Sequence, residues 1–284
     1  MATSLILIWL FICCVMIFSR FYNEPYVTTI SEYNLPKIVW TYWDTTHQPK
    51  LISQIQRYNK FPGWTVIHLN KDNVGEYVNM RETPKNYDKL HIAHQADWIR
   101  LALLKRHGGC WIDASIIIND AKAFDQMHEE SVQKQSELTA FYYDTHTINK
   151  NNTSYIENWF IMAPKDSRII QLWYEEYTRA IEMGFERYKQ LPIRFPLSEY
   201  LEGNAYLTQH TCLQVVLNDK LKGKKPNILL YNASDSMFKL QNHCKWNHNC
   251  TMYTLQNKIG KKLPYIKLVN ADRKTNIDIS PFFN

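Results

Sequence analysis

The chain has 284 residues, of which 45% are apolar and 21% charged, as is ordinary for a globular protein. The net charge is +6, and the basic residues are scattered apart from a short run at 220–225, which argues against the clustered stripe of a nucleic-acid-binding protein. A mildly positive field suits an anionic small substrate. We therefore expect no nucleic-acid partner.

The N-terminal segment differs from the rest of the chain. Residues 5–18 ("LILIWLFICCVMIF") carry no polar side chain, and with residues 2–4 they reach about the minimum length for crossing a bilayer. No A-x-A-like cleavage site follows. The sequence predicts an uncleaved signal anchor over 1–19 that contacts the membrane, a polar stem over 20–34 and a folded domain over 35–284.

The orientation of this single-pass membrane protein stays open at the sequence level. Arg20 follows the apolar segment and no Lys or Arg precedes it, which favours a domain facing the cytoplasm. N-glycosylation sequons at Asn151, Asn152, Asn232 and Asn249 favour a luminal domain of the Golgi or ER type. Cys244 and Cys250 flank a short loop and could form a disulfide in such a lumen, whereas "HCKWNHNC" is too crowded to favour a zinc site. We expect the luminal placement.

The folded domain opens with alternating strands and helices. Residues 35–43 ("LPKIVWTYW") form a β-branched and aromatic run after Pro36, which predicts a buried first strand. Helical spacing of apolar residues predicts a helix over 49–60, and "TVIHLN" at 65–70 predicts a second strand. This alternation predicts an α/β fold with a parallel sheet and helices packed on its faces.

The stretch 94–115 ("HQADWIRLALLKRHGGCWIDAS") places charge at few points. One apolar helix face contains Ile92, Ala96, Ile99 and Leu103. Asp97 and Arg100 are three residues apart and share another face, and the Gly pair at 108–109 ends the helix. Residues 110–112 then predict a short buried strand with Asp113 at its carboxyl end, where open α/β sheets bind ligands. We expect these charged side chains to converge on one crevice; the alternative is a solvated ion pair with Asp113 as a loop cap.

The second half of the chain is less regular. Residues 141–144 and 158–163 predict strands, and Asp166 or Ser167 caps a predicted helix. A further helix is predicted over 206–219. The tail from about 226 onward is β-leaning and irregular in pattern.

A carboxylate beside an arginine in a crevice can hold a divalent cation and a phosphate. Mg²⁺ and Mn²⁺ take few protein carboxylates and keep positions open for phosphate oxygens. The planar fork of arginine binds phosphate or sugar hydroxyls. The stretch therefore favours chemistry on a phosphorylated substrate.

Residues 93–115 resemble the signature of the retaining sugar-nucleotide glycosyltransferases of the capsular polysaccharide synthesis group (family 32). That signature runs A-D, two residues, R, an apolar helix, G-G, a short strand, and then D-x-D or D-A-[ST]. "LPKIVWTYW" and "NWFIMAPKDSRIIQLWYEEY", at 158–177, resemble its flanking blocks. The likeness runs from about residue 35 to residue 215, and the last 70 residues or so show no match.

The resemblance implies a GT-A-like, Rossmann-type mixed sheet flanked by helices. It also implies a nucleotide-sugar donor, a glycan or glycolipid acceptor, and usually Mn²⁺ or Mg²⁺. Carried over by position, Asp97 and Arg100 would hold the donor sugar and its phosphate, and Asp113 would contact ribose, sugar or metal. Asn158 would face the reacting sugar.

The nucleotide pocket and the metal ligands also follow from the resemblance. Trp40, Thr41 and Tyr42 would line a uracil or guanine pocket, and Trp111 belongs to the same predicted binding set. Ser115 stands where D-x-D has its second Asp, so Asp113 and Ser115 are the candidate metal ligands. Because serine is a neutral and weaker ligand, metal dependence stays open. His210 could contact the phosphates or be a packed residue.

Two functions of different classes follow. The first is a glycosyltransferase that moves a sugar from a nucleotide-sugar donor to a glycan or polysaccharide with retention of anomeric configuration. The alternative is a non-catalytic carbohydrate-binding protein on a degenerate transferase fold, which Ser115 favours. A nucleotidyltransferase would show a Gly-rich phosphate loop, and the sequence has none.

Overall fold

The computed structural model describes residues 33–148, 154–193, 195–224 and 226–283. All of them belong to one unit, Tyr33–Asn284. The predicted anchor at 1–19, nearly all of the predicted stem, and the sequons at Asn151 and Asn152 lie outside the described residues.

The strands of the described residues form two sheets. They are β1 (Ile38–Tyr42), β2 (Thr65–Leu69), β3 (Gly109–Ile112), β4 (Ile116–Ile118), β5 (Leu138–Tyr142), β6 (Ile156–Ala163), β7 (Ile228–Asn232) and β8 (Tyr265–Lys267). The large sheet has the order β2-β1-β3-β6-β5-β7. Only β6 runs antiparallel to its neighbours in it, and β4 pairs with β8 in a small antiparallel sheet.

Helices pack against both sheets. They are α1 (Lys50–Tyr58), α2 (Ile92–His107), α3 (Ala121–Gln133), α4 (Arg168–Met183), α5 (Phe185–Lys189), α6 (Thr208–Val215), α7 (Lys239–His243), α8 (His248–Gln256) and α9 (Ser280–Phe283), and α6 continues into a wider turn at Val216–Lys220. Short 3₁₀ turns occupy Val74–Glu76, Met80–Glu82, Tyr87–Lys89, Asp144–His146, Ala205–Leu207, Ile259–Lys262 and Asn270–Lys274. The predicted mixed α/β architecture is confirmed.

The core lies on both faces of the large sheet because strand side chains alternate between them. Trp40 of β1 packs with α2 and α4 on one face, in a cluster that includes Trp98 and Trp173. Val39 faces the opposite cluster, which includes Phe124 of α3. Both faces of this sheet are therefore covered, as expected for a largely parallel sheet.

A glycine pair joins α2 to β3. Gly108 and Gly109 have φ angles of +68° and +96°, in the region that favours glycine. A Cβ on Gly108 would lie 2.5 Å from the backbone nitrogen of Lys165, and one on Gly109 would lie 2.7 Å from the carbonyl oxygen of Ile38. The chain can therefore turn here from the helix into the strand that ends beside Asp113.

The elements that the sequence predicts up to residue 220 are confirmed with small shifts of their ends, and Ser167, not Asp166, caps α4 through a bond from the Ile170 amide. The tail differs from the prediction. It contains α7, α8 and α9 in addition to β7 and β8. Those helices have five, nine and four residues, too few turns to produce a readable helical period.

The predicted single-pass membrane protein needs correction. Within the described ranges, the longest helices are too short or too polar to cross a bilayer. The segment at 1–19 that motivated the prediction is not among those ranges. The described structure therefore does not support the predicted single-pass placement or the luminal assignment built on it.

Candidate functional site

Polar side chains from distant parts of the chain meet at the carboxyl end of β3. We call this group the strand-end cluster. Its members are Asp97, Arg100, Asp113, Asn158, Gln209 and Lys267. The expected convergence of Asp97, Arg100 and Asp113 is thus observed, and the alternative of a solvated surface pair is not.

Arg100 joins the two carboxylates of the cluster. Its Nη1 donates to Asp97 Oδ1 and, over 2.9 Å, to Gln209 Oε1. Its Nη2 lies 3.2 Å from Asp113 Oδ1. The Arg100 side chain is only 5% exposed, so α2 delivers a cation to the interior where both carboxylates can pair with it.

Asn158 and Gln209 tie β6 and α6 to α2. Asn158 Nδ2 donates to Asp97 Oδ1 over 3.1 Å and to Gln209 Oε1 over 2.7 Å. Gln209 Nε2 in turn donates to the Asp97 carbonyl over 2.5 Å. These bonds satisfy groups that would be costly to bury alone, and they fix three elements in one arrangement.

Asp113 is the most exposed carboxylate of the cluster. Its amide donates to the Trp159 carbonyl over 2.9 Å and its carbonyl accepts from the Ile116 amide over 3.0 Å, which fixes the turn after β3. Trp111 Nε1 donates to Asp113 Oδ1 over 3.1 Å, and the Arg100 guanidinium lies 5.0 Å from the Trp111 ring centre. With 21% of its side chain exposed, Asp113 can meet a ligand that approaches from solvent.

Lys267 enters the cluster from β8. Its Nζ donates to Ser115 Oγ over 2.8 Å and to the Leu268 carbonyl over 3.1 Å, and it lies 3.2 Å from Asp113 Oδ2. Its side chain is 4% exposed. A buried ammonium group therefore lies between the two residues that the sequence nominates as metal ligands.

Burial and neighbouring charges shift the pKa of both Asp113 and Lys267. Burial acts to raise the pKa of Asp113, but the charges of Lys267, Arg100 and Arg273 and the Trp111 bond outweigh it, and the pKa is lowered. Burial lowers the pKa of Lys267 to about 8, with Arg273 acting in the same direction and Asp113 opposing it. Asp113 is an anion at neutral pH.

Asp113 and Ser115 do not fit a divalent cation in this arrangement. Ser115 is buried, and its hydroxyl donates to the Leu268 carbonyl while accepting from Lys267. Mg²⁺ and Mn²⁺ need oxygen ligands free of competing cations. Over the described ranges, no cluster of three or more His, Cys, Asp and Glu side chains could hold a metal. These contacts argue against Ser115 as a metal ligand, and its predicted role stays a prediction.

The three β1 residues predicted to line the nucleotide pocket face different sides of the large sheet. Trp40 is buried, and its Nε1 donates to the Gly108 carbonyl over 2.9 Å, at the end of β3 opposite Asp113. Its role in a nucleotide pocket stays a prediction. Tyr42 packs in the same core, and burial, with the charge of Asp44, raises its pKa to about 12. Thr41 faces the other side, where it and Asp113 line a cavity of about 10 Å³.

The remaining residues singled out in the sequence are His210 and the cysteines. His210 is buried, its ring stacks 5.1 Å from that of Tyr155, and its Nε2 is 3.7 Å from Glu157 Oε2, too far for a hydrogen bond. A role for His210 at the phosphates stays a prediction. The Cys244–Cys250 disulfide is confirmed, and the Cys110 thiol is buried within the predicted strand.

The sequence did not single out Gln209 or Lys267. Gln209 lies beside His210 in a helix whose neighbours are mostly buried, so no polar pattern marks it. Lys267 had a readable signal, because "YIKLV" places one charge inside an apolar strand. A buried lysine requires a partner, and that requirement points to a carboxylate elsewhere in the chain.

A larger cavity of about 560 Å³ lies elsewhere. Its walls include Glu176, Tyr188 and Thr211, and it shares no lining residue with the strand-end cluster. Size alone favours this cavity as a ligand site. The convergence of charge favours the cluster, and the two locations make different predictions for substitutions.

The sequence was compared with known proteins. Residues 17–277 match the family described as capsular polysaccharide synthesis protein, which is most of the chain. The chain belongs to this family. Residues 93–115, which resemble the family signature, include Asp97, Arg100 and Asp113 of the strand-end cluster.

Individual relatives are distant. The chain is similar to the O-glycosyltransferase braB of Annulohypoxylon truncatum, with 24% identity over 187 residues. That match covers 56% of this chain and 43% of the relative, so the chain spans less than half the length of that protein. It is also similar, at 9% identity and a TM-score of 0.43, to a crystal structure of a glycosyltransferase involved in the glycosylation of the major capsid of PBCV-1. That match covers 84% of this chain and 96% of the other.

Proposed function

We propose that this protein is a glycosyltransferase that moves a sugar from a nucleotide-sugar donor to a glycan or polysaccharide acceptor. Membership of the capsular polysaccharide synthesis family and a distant relative named as an O-glycosyltransferase support the reaction class. We further propose that the large sheet is a GT-A-like variant, with its donor site where parallel strands β1, β2 and β3 end.

The observation that carries the proposal is the strand-end cluster itself. It removes two carboxylates and two cations from most of their water, which costs several kcal/mol per ion unless the charges are paired. The side chains come from separate elements, so no local structural need, such as a helix cap, explains them together. Asp113 is the most exposed of the carboxylates, so its side chain can meet a ligand that approaches from solvent.

The proposed reaction proceeds with retention of anomeric configuration. The acceptor hydroxyl oxygen forms a bond to the anomeric carbon on the face from which the nucleoside diphosphate departs. The bond between that carbon and the diphosphate oxygen breaks, and its electron pair stays with the phosphate. The leaving phosphate takes the proton of the acceptor hydroxyl, so the reaction balances without a side-chain base.

The cluster assigns different tasks to its residues. Asp113 accepts a hydrogen bond from a hydroxyl of the donor ribose or sugar, because its side chain reaches solvent. Asp97 and Arg100 are 10% and 5% exposed and hold Asp113 and Asn158 in place, so in this arrangement they are positioning residues. Asn158 is half-buried beside them and stays the candidate to face the reacting sugar.

The test is donor turnover by the purified chain. A panel of UDP- and GDP-sugars with glycan acceptors is screened for release of the nucleoside diphosphate, and proton coupling constants of the product report its anomeric configuration. Asp113→Asn keeps the side-chain shape and removes the charge. We expect it to lower turnover by about 10²-fold or more.

Glu176→Gln is the matched control, because Glu176 is also a buried, ion-paired carboxylate but lines the separate 560 Å³ cavity. It should keep wild-type turnover at temperatures below its melting point. Wild-type turnover in Asp113→Asn, or its loss only in Glu176→Gln, would place the active site elsewhere.

A non-catalytic carbohydrate-binding protein is the second candidate. It is favoured by Ser115, whose hydroxyl is hydrogen-bonded to the Leu268 carbonyl and to Lys267. A binding protein would bind a glycan in isothermal titration and release no nucleoside diphosphate from any donor. Product release above that of the Asp113→Asn variant rejects this alternative.

A further inference from the structure

We propose that this chain binds the diphosphate of its donor without a divalent metal, with Lys267 standing where a D-x-D enzyme holds its metal ion. Arg273 supplies the charge that faces the phosphates. The proposal rests on the proposed function and deepens it, because it names how the leaving group is bound at the same site.

Lys267 has the contacts that would otherwise belong to a metal ion. Its Nζ lies 3.2 Å from Asp113 Oδ2 and 2.8 Å from Ser115 Oγ, the two groups at the first and third positions of the motif. The Leu268 carbonyl is a third oxygen at 3.1 Å. An ammonium group has three N–H donors, so these three oxygens complete its hydrogen bonding.

Asp113 is committed on its other oxygen as well. Oδ1 accepts from Trp111 Nε1 over 3.1 Å and lies 3.2 Å from Arg100 Nη2. Two cations therefore already neutralise this carboxylate. A divalent ion would have to displace one of them and would meet the other at short range, where like charges repel strongly.

Arg273 is a further cation near the cluster, in the turn that follows β8. It is half-buried in the turn Asn270–Lys274, which Asp272 ties to β8 through Gln241, since Gln241 Nε2 donates both to Asp272 Oδ2 and to the Lys267 carbonyl. Its charge acts on Asp113 and on Lys267. In the part of the chain that the structure describes, no carboxylate forms a salt bridge with Arg273. We therefore assign its guanidinium to a phosphate of the donor.

The arrangement serves the bond-breaking step directly. As the bond between the anomeric carbon and the diphosphate oxygen breaks, negative charge grows on the departing phosphate. Arg273 meets that charge by hydrogen bonding, and the buried Lys267 offsets the negative charge of Asp113, which would otherwise repel the diphosphate. The site thus performs with fixed side chains what a metal performs elsewhere.

The first experiment uses the wild-type chain with UDP and GDP as probes. Melting temperature is measured with each nucleotide in EDTA and in MnCl₂, and Mn²⁺ binding is measured separately by isothermal titration. We expect one nucleotide to raise the melting temperature equally in both buffers, and Mn²⁺ to show no site. Stabilisation that requires Mn²⁺, or one saturable Mn²⁺ site lost in Asp113→Asn, overturns the proposal.

The second experiment compares Arg273→Ala with Lys274→Ala, its exposed neighbour. Loss of a charge-assisted hydrogen bond to phosphate should raise the Kd of the nucleotide by about tenfold or more in Arg273→Ala. Lys274→Ala should keep the wild-type Kd. Equal Kd values in the two variants contradict the role of Arg273.

A gain-of-binding variant completes the test. Lys267→Ala combined with Ser115→Asp removes the ammonium and restores the second carboxylate of D-x-D, so Mn²⁺ binding should appear in the titration. A folded double variant that binds no Mn²⁺ contradicts the substitution of lysine for metal; if the variant does not fold, the wild-type EDTA and MnCl₂ measurements decide.

Turnover separates this proposal from the proposed function. Nucleoside diphosphate release that persists in EDTA supports both, and release that requires Mn²⁺ keeps the transferase and rejects the metal-free site. Nucleotide stabilisation in EDTA without release from any donor keeps the binding site and rejects the transferase. Absence of both rejects both.

Discussion

Two groups of buried charge in this protein differ in how far their cations are exposed to solvent. In the strand-end cluster the cations are buried: the side chains of Arg100 and Lys267 are 5% and 4% exposed. In the second group Glu176 is 1% exposed, but its partners Arg179 and Lys220 are 51% and 32% exposed. The cations of the second group keep much of their water, whereas those of the first depend almost wholly on protein partners.

The difference separates a structural charge from a functional one. Glu176 of α4 pairs with Lys220 in the turn after α6. Because the cation of this pair reaches solvent, the pair costs little free energy of desolvation. Burying both signs costs more and stabilises little relative to apolar packing. The strand-end cluster therefore calls for an explanation beyond stability, and ligand binding through Asp113 provides one.

Arg100→Ala should have the largest effect on stability. It leaves Asp97 and Asp113 without their shared cation, and breaking a buried pair in this way costs about 3–5 kcal/mol in the free energy of unfolding. Urea denaturation followed by circular dichroism measures it. Arg179→Ala is the comparison: its side chain is half exposed, so the expected loss is below about 1 kcal/mol. Similar losses in the two variants would erase the distinction between the groups.

Glu176→Gln should have an intermediate and pH-dependent effect. Gln keeps the shape and an oxygen for Tyr188, and loses the charged bonds to Lys220 and Arg179, so about 2 kcal/mol is expected at neutral pH. Burial acts to raise the pKa of Glu176, but the Lys220 and Tyr188 bonds and the nearby cations lower it.

The sign of the pH dependence follows from that lowered pKa. A carboxyl with a lower pKa in the folded chain contributes stability that is fully present above its ordinary value of 4.5 and is lost as the pH falls through the folded pKa. The difference in unfolding free energy between wild type and Glu176→Gln should therefore shrink below pH 4.5. A difference that stays constant down to low pH would show that the charge contributes nothing.

Trp40→Phe should have the smallest effect, and only on stability. It removes the bond from the indole to the Gly108 carbonyl, worth about 1 kcal/mol, together with part of the packing against Tyr77 and His107. Nucleotide affinity by isothermal titration should not change, because the Trp40 indole is buried and bonds to the Gly108 carbonyl, away from Asp113. A weakened nucleotide affinity at unchanged stability would restore Trp40 to the donor pocket.

The sequence predicted those parts of the site that depend on local pattern. The helical spacing of Asp97 and Arg100, the glycine pair and the strand before Asp113 lie within one short stretch, so periodicity and turn chemistry describe them well. Pocket geometry was harder: alternation placed Trp40 and Thr41 on opposite faces, and resemblance alone could not tell which of them faces a ligand.

Lys267 shows where sequence reasoning ended. It bonds to Ser115 across 152 residues, and no local rule reports a contact of that range. The helices of the tail are too short to be predicted from hydrophobic periodicity, and the family resemblance ends near residue 215. What the sequence did contain was a single charge in a buried strand, whose partner only tertiary structure reveals.

The pairing of β4 with β8 places Ile116 opposite Lys267 and Ile117 opposite Ile266. A slip of β8 by one residue would exchange which of Ile266 and Lys267 faces Asp113, because alternate residues of a strand point to opposite sides. The site therefore acquires its charge only when the C-terminal segment docks in the right alignment. During refolding, nucleotide binding should appear only once β8 has paired with β4. A chain in which only the six-stranded sheet has formed should not bind the nucleotide.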